Sequence, residues 1–181
     1  MHPALLYLPG GRLTIAELSA ARLDGHLVDL GEGFVPADLV EGPATRAATL
    51  SAVIPPGTAA SGPTAAWIHG AGDAAPSRHH VSRAVSRRIR PVLSVRVVMH
   101  EAQIPLSDQQ IVGGVTTMTP LRTMLDLALA LHRDPGLRPW MIGLAEVDPR
   151  LVADAVDVLD GLGRVPGKIS GRAALLRVRT R

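Results

Sequence analysis

Arg122 and Asp126 are the charged residues whose spacing most invites chemistry. Four apart in the run GGVTTMTPLRTMLDLA, from Gly113 to Ala128, they share one face of any helix formed there. No nucleophile, second carboxylate or metal-ligand cluster accompanies them in the run, so the pair reads as a structural ion pair that fixes a helix on a sheet. His79, His80 and His100 raise the question of a metal. Adjacent residues of a strand point to opposite faces, so His79 and His80 cannot easily share an ion, and neither metal nor cofactor is expected. Asp154, Asp157 and Asp160 fall on one helical segment, without the strand-borne acid-and-lysine arrangement by which a metal-dependent nuclease activates water. A phosphate loop, a dinucleotide fingerprint and a G-x-S-x-G elbow are all missing. An enzyme acting on small molecules needs a pocket of convergent polar groups, which the sequence does not locate. The chain is therefore read as non-catalytic.

The elements that must position these residues are punctuated by local signals. Val115, Thr116 and Thr117 favour a strand; Thr119 can cap the following helix, and Pro120 suits its first position because it has no N–H to leave unpaired. Leu121, Met124, Leu125, Ala128 and Leu129 make the rest of that helix apolar, which predicts burial. Upstream, an alanine-rich helix over Pro43–Val53 is broken by Pro55-Pro56-Gly57, and a short strand over Thr58–Ala60 leads into a helix in SGPTAAWIHG, Ser61 to Gly70. Trp67 reads as a core anchor and His69 as a hydrogen-bonding helix end. Beyond the central motif, Arg138–Val147 and Pro149–Leu162 read as helices, the second with Leu151, Val152, Ala155, Val156 and Leu159 on one face.

The chain is 181 residues long with 46% hydrophobic residues, enough for one generous core or two small ones. No stretch approaches the roughly 20 apolar residues a membrane helix needs, and the start MHPALLYLPGG has no basic leader; a cytoplasmic protein is expected. Charge is unevenly spread: residues 1–77 carry a net −4 and the remainder +7, so attraction to phosphate belongs to the second part. Arg78, Arg83, Arg87, Arg88, Arg90 and Arg96 cluster in the centre, around predicted strands at His80–Val85 and Val92–Val98, with Val81 inward and His80 and Ser82 outward. Two readings of this ribbon stand open: guanidinium contacts to phosphates, or a solvated β-hairpin with surface arginines. The tail from Arg164 to Arg181, with Lys168, Arg172, Arg177 and Arg179, is either a basic helix that touches nucleic acid or an acidic partner, or a frayed solubilising end. Only Tyr7, Phe34, Trp67 and Trp140 are aromatic, too few for a base-stacking RNA platform.

The pattern V-T-x-x-x-P-x-R-T-x-x-D-L-A, carried here by Thr119, Arg122, Thr123 and Asp126 among others, resembles the AbiEi-like antitoxins of type IV toxin–antitoxin systems. SGPTAAWIHG, with Trp67, is similar to a second segment of that family. The resemblance extends from Leu13 to about Leu176. It implies a winged helix at the N-terminus, and Gly33, Phe34, Val35 and Pro36 match the end of its hairpin. Between Leu23 and Leu27 only Asp24, Gly25 and His26 remain, so a recognition helix is missing or shrunken. The expected fold is α+β: a reduced winged-helix-like module over residues 1–42, packed on a mixed sheet with C-terminal helices in a body over 43–181. Some relatives continue into an endonuclease-like domain, which is not expected here. The resemblance implies a transcriptional regulator that binds double-stranded DNA, represses its own operon and opposes a nucleotidyltransferase-like toxin. In that reading Arg78, Arg83, Arg87, Arg88 and Arg90, helped by Lys168 and Arg172, neutralise phosphates. The alternative is a protein-interaction module whose DNA reader has decayed.

Overall fold

A computed structural model describes residues 5–90 and 94–179. The first helix, α1 (Ile15–Leu23), begins at a capping box: Thr14 accepts from the Glu17 N–H, and the Glu17 carboxylate accepts from the Thr14 N–H. Its Leu18 is fully buried. Strands β1 (Leu27–Leu30) and β2 (Gly33–Pro36) pair antiparallel around the turn at Gly31 and Glu32. Leu30 and Val35 face inward and join Trp67, Ile68, Ala60 and Val115 in one buried cluster, so the N-terminal hairpin and the body share a core.

The body is a five-stranded mixed sheet in the order β5-β4-β3-β7-β6. Helix α2 (Pro43–Thr49) precedes β3 (Thr58–Ala60), and α3 (Gly62–Ile68) follows it with Pro63 in its first turn. Strand β4 (His79–Arg83) runs antiparallel to β3, and β5 (Val97–Gln103) runs parallel to β4. A short 3-10 turn at Leu106–Asp108 leads into the β6 (Gln109–Val112) and β7 (Val115–Met118) hairpin, and β7 lies parallel to β3. Four helices close the fold: α4 (Pro120–Ala130), α5 (Arg138–Val147), α6 (Arg150–Gly161) and α7 (Lys168–Arg179). Met124, Leu127, Met141, Leu144, Leu159 and Leu175 form their common core. The architecture is α+β, and among the described residues no helix is long and apolar enough to cross a membrane.

Four sequence expectations are corrected. The second central strand occupies Val97–Gln103 rather than Val92–Val98: Val95 and Arg96 form a turn, and Val92 lies outside the described residues. The centre is not a hairpin, because parallel strands cannot be joined by a tight turn, and residues 84–90 and 94–96 belong to the crossover between β4 and β5. Ser82 shares the groove-facing side of β4 with His80 but is buried there rather than exposed, next to a register shift at Ser82/Arg83. The C-terminal segment is a packed helix rather than a frayed end, with Ala174 and Leu175 buried against α4 and α6; Arg181 lies outside the described residues.

Candidate functional site

The two motif segments build one junction. Thr119 caps α4 by accepting from the Arg122 N–H at 3.4 Å, and the Thr123 hydroxyl donates to the Thr119 carbonyl at 2.9 Å. Arg122 Nε donates to Asp126 Oδ1 at 2.8 Å, the expected pair. A second carboxylate, not expected from the sequence, completes the group: Arg122 Nη1 donates to Asp108 Oδ2 at 2.7 Å. Asp108 lies 14 residues back, on the far side of the β6–β7 hairpin, and no spacing rule finds it. Burial works against the Arg122 charge, but Asp126 and Asp108 outweigh it and raise its pKa; burial raises that of Asp126 against the pull of Arg122. Arg122→Ala leaves two half-buried carboxylates facing each other, so a loss of about 2 kcal/mol in urea unfolding is expected. A change below about 0.5 kcal/mol would show the pair to be ornamental.

The SGPTAAW segment holds β4 from the other side. The His80 N–H donates to Thr64 Oγ1 at 2.8 Å, and the Ser61 N–H donates to the His80 carbonyl at 3.0 Å. Trp67 is fully buried. Arg46 stacks on its ring, 5.2 Å from the centroid, donates to the carbonyls of Trp67 and Gly72, and pairs with Glu41. His69 caps the end of α3 and donates to the Met118 carbonyl at 2.7 Å; burial lowers its pKa. Arg46 escaped sequence reading because an alanine-rich helix gives no sign that its one arginine points inward.

Between these junctions lies a groove of about 580 Å³. His80, His100, Ser82, Arg122, Asp126, Arg133 and Asp134 supply its polar lining, and Leu127, Leu137 and Val165 part of its apolar wall. No local pattern announces it, because its walls come from five separated segments. His80 Nδ1 and His100 Nε2 meet at 3.1 Å on its floor. Burial, then the neighbouring charges of His100 and Arg78, push the His80 pKa down to about 4; burial also lowers that of His100. Both imidazoles are neutral at pH 7. Because the unfolded chain takes up the His80 proton near pH 6.5 and the folded chain only near 4, this contribution to stability is complete above pH 6.5 and is lost as pH falls towards 4. After allowance for partial exposure, acidification from pH 7 to 4.5 should cost wild type about 2 kcal/mol more than His80→Gln, read as urea midpoints. Parallel pH profiles for the two proteins would sink this assignment.

His79 turns to the opposite side, as strand alternation requires. It is buried, and its Nε2 donates to Glu32 Oε1 at 2.8 Å; Arg96 pairs with the same carboxylate. The tip of the N-terminal hairpin is thereby tied to β4 and to the turn before β5. Among the described residues, no three His, Cys, Asp or Glu side chains gather as a metal cluster.

The arginines expected to meet phosphate separate into two groups. Arg78, Arg87, Arg88 and Arg90 are exposed, and the ion pairs among the described residues include none of them. They flank β4, a five-residue strand about 16 Å long. Arg83 is half-buried, its Nε fully covered, with Nη1 directed at the Ser86 carbonyl at 3.5 Å. Gln109 Nε2 fastens the start of the same crossover by donating to the Ala84 and Ile104 carbonyls at 3.0 and 2.8 Å. Lys168 and Arg172 are engaged within the fold. Lys168 Nζ donates to the Leu162 carbonyl at the end of α6, and Arg172 grips Asp160 with two bonds of 2.6 and 3.0 Å, which lowers the Asp160 pKa.

No curated protein matches the chain. Among solved structures it is similar to the crystal structure of the RV2827C protein from Mycobacterium tuberculosis, with 16% identity over 94% of this chain and 70% of that one and a TM-score of 0.36, too loose a likeness to argue from. The family model described as the AbiEi antitoxin C-terminal domain matches residues 58–165. That family acts broadly in toxin–antitoxin function and DNA-binding regulation, and is generally non-catalytic. The matched span covers more than half of the chain and contains both the Trp67 segment and the Arg122–Asp126 helix, and the chain belongs to the AbiEi antitoxin family.

Proposed function

We propose that this protein is a non-catalytic antitoxin-type regulator that grips double-stranded DNA through its central arginines, represses its own operon and opposes a nucleotidyltransferase-like toxin. The observation that carries the reading is the group of exposed arginines, Arg78, Arg87, Arg88 and Arg90, outside the ion pairs of the described residues. A guanidinium already committed to a carboxylate gains little by meeting a phosphate, whereas an uncommitted one releases counterions on binding. By the same argument Lys168 and Arg172 contribute less, since each is occupied at the end of α6. The division between residues 1–42 and 43–181 is one of role: the short front module has a single helix and a hairpin, and the body carries the contacts. With no free recognition helix among the described residues, binding should be strong in its dependence on salt and weak in base preference.

Fluorescence anisotropy with DNA from the gene's own upstream region tests this. Four phosphate contacts predict a log–log salt slope near −3.6, hence about a hundredfold loss of affinity between 50 and 200 mM salt. No binding at low salt would overturn the reading and favour a protein-interaction module with a decayed DNA reader.

A further inference from the structure

We propose that His80 and His100 form an open two-imidazole site for a divalent transition-metal ion of the zinc type, on the floor of the groove beside α4. In the parallel register of β4 and β5, His80 aligns with Val98 and Ser82 with His100, which makes the two histidines diagonal neighbours on one face of the sheet. Their nitrogens, Nδ1 of His80 and Nε2 of His100, stand 3.1 Å apart, with the rings tilted by 31° and their centroids 5.2 Å apart. Two imidazole nitrogens that ligate one tetrahedral ion at about 2.0–2.1 Å lie about 3.3 Å from each other. An ion can thus replace the shared proton with an opening of a few tenths of an ångström.

The two ligands differ in freedom. His80 is pinned on both sides of its backbone by Thr64 and Ser61, whereas His100 is exposed and can adjust. Asp126 lines the same groove and places a carboxylate charge close enough to act on His100. No third ligand completes a cluster among the described residues, so the remaining coordination positions face the groove. With one protein ligand fewer than the usual open zinc site, this one takes its further ligand atoms from water or a bound molecule. Two neutral nitrogen donors favour zinc, nickel or copper over magnesium or calcium. The objection that His79 and His80 cannot share an ion does not apply, because His79 lies on the opposite side with Glu32.

The test uses the full chain labelled with nitrogen-15, titrated with zinc chloride and followed by long-range proton–nitrogen spectra of the imidazoles. The expected result is that His80 Nδ1 and His100 Nε2 shift together and saturate, while magnesium moves neither. His100→Gln, at an exposed position, should abolish the zinc-dependent shift of His80 and weaken zinc binding in calorimetry by about tenfold or more. His132→Gln should leave both unchanged. Zinc shifts confined to other histidines, or a His80 response that persists in His100→Gln, would overturn the proposal. DNA binding enters neither readout, so the result is independent of the regulator reading.

Discussion

Gly31→Ala should lower the melting temperature by about 6–12 °C, corresponding to about 3 kcal/mol for a chain of this size. Two causes add. Gly31 has φ +56, a left-handed conformation that costs an alanine about 1–2 kcal/mol. A Cβ built there would stand 2.9 Å from Trp67 Cη2 and closer still to Thr49 Oγ1, and both side chains are fully buried. Neither can retreat: Thr49 bonds the Arg46 carbonyl at 2.7 Å, and the Trp67 ring lies under the Arg46 guanidinium. Overpacking of such a site costs about 1–3 kcal/mol. The damage should spread to the Glu32–His79 contact one residue on, so the N-terminal hairpin should lose hydrogen-exchange protection before the helical core does. A melting temperature within about 2 °C of wild type would show that the turn is free to shift, and that hairpin and body are not tightly joined.

Reversing Arg87, Arg88 and Arg90 together to glutamate should reduce DNA affinity at low salt by at least about two orders of magnitude and flatten the log–log salt slope by about 2.7. These side chains are exposed on the crossover between β4 and β5, so the melting temperature should move by no more than about 1 °C. This separates a lost contact from a lost fold. Arg83→Gln should behave otherwise, because Arg83 turns back on Ser86 and its Nε is covered; it should disturb the loop and leave the salt slope nearly intact. An unchanged slope in the triple variant would move the phosphate contacts away from this loop.

Much of the local structure was legible because its signals are local. Pro63 and Pro120 open α3 and α4, the capping Thr119 sits where expected, and β3, α5 and α6 lie at or within a residue or two of their predicted limits. The periodic apolar face of α6 is buried as its spacing implies, because 3.6-residue periodicity is a property of the helix itself. Strand β5 was misplaced for the opposite reason: Val92–Val98 has β-propensity throughout, and only pairing with β4 decides where the strand begins. The tail looked frayed because its basic residues mask Ala174 and Leu175, and their burial depends on α4 and α6 being present to receive them.

What the sequence determined by itself was therefore the helices α3 to α6 with the Thr119 cap, the α+β class, the asymmetry of charge and the two motif segments that mark the family. Each rests on residues within a few positions of one another, where backbone sterics, capping and periodicity act directly. Tertiary structure alone decided the partners across distance: Asp108 on Arg122, Glu32 on His79, Arg46 on Trp67, and His100 beside His80. Those meetings depend on sheet order and register, and a one-residue slip in a strand sends every side chain to the other face. Strand alternation alone parts His79 from His80, but the register of β4 against β5 brought His80 to His100, and no count of residues along the chain contains that information.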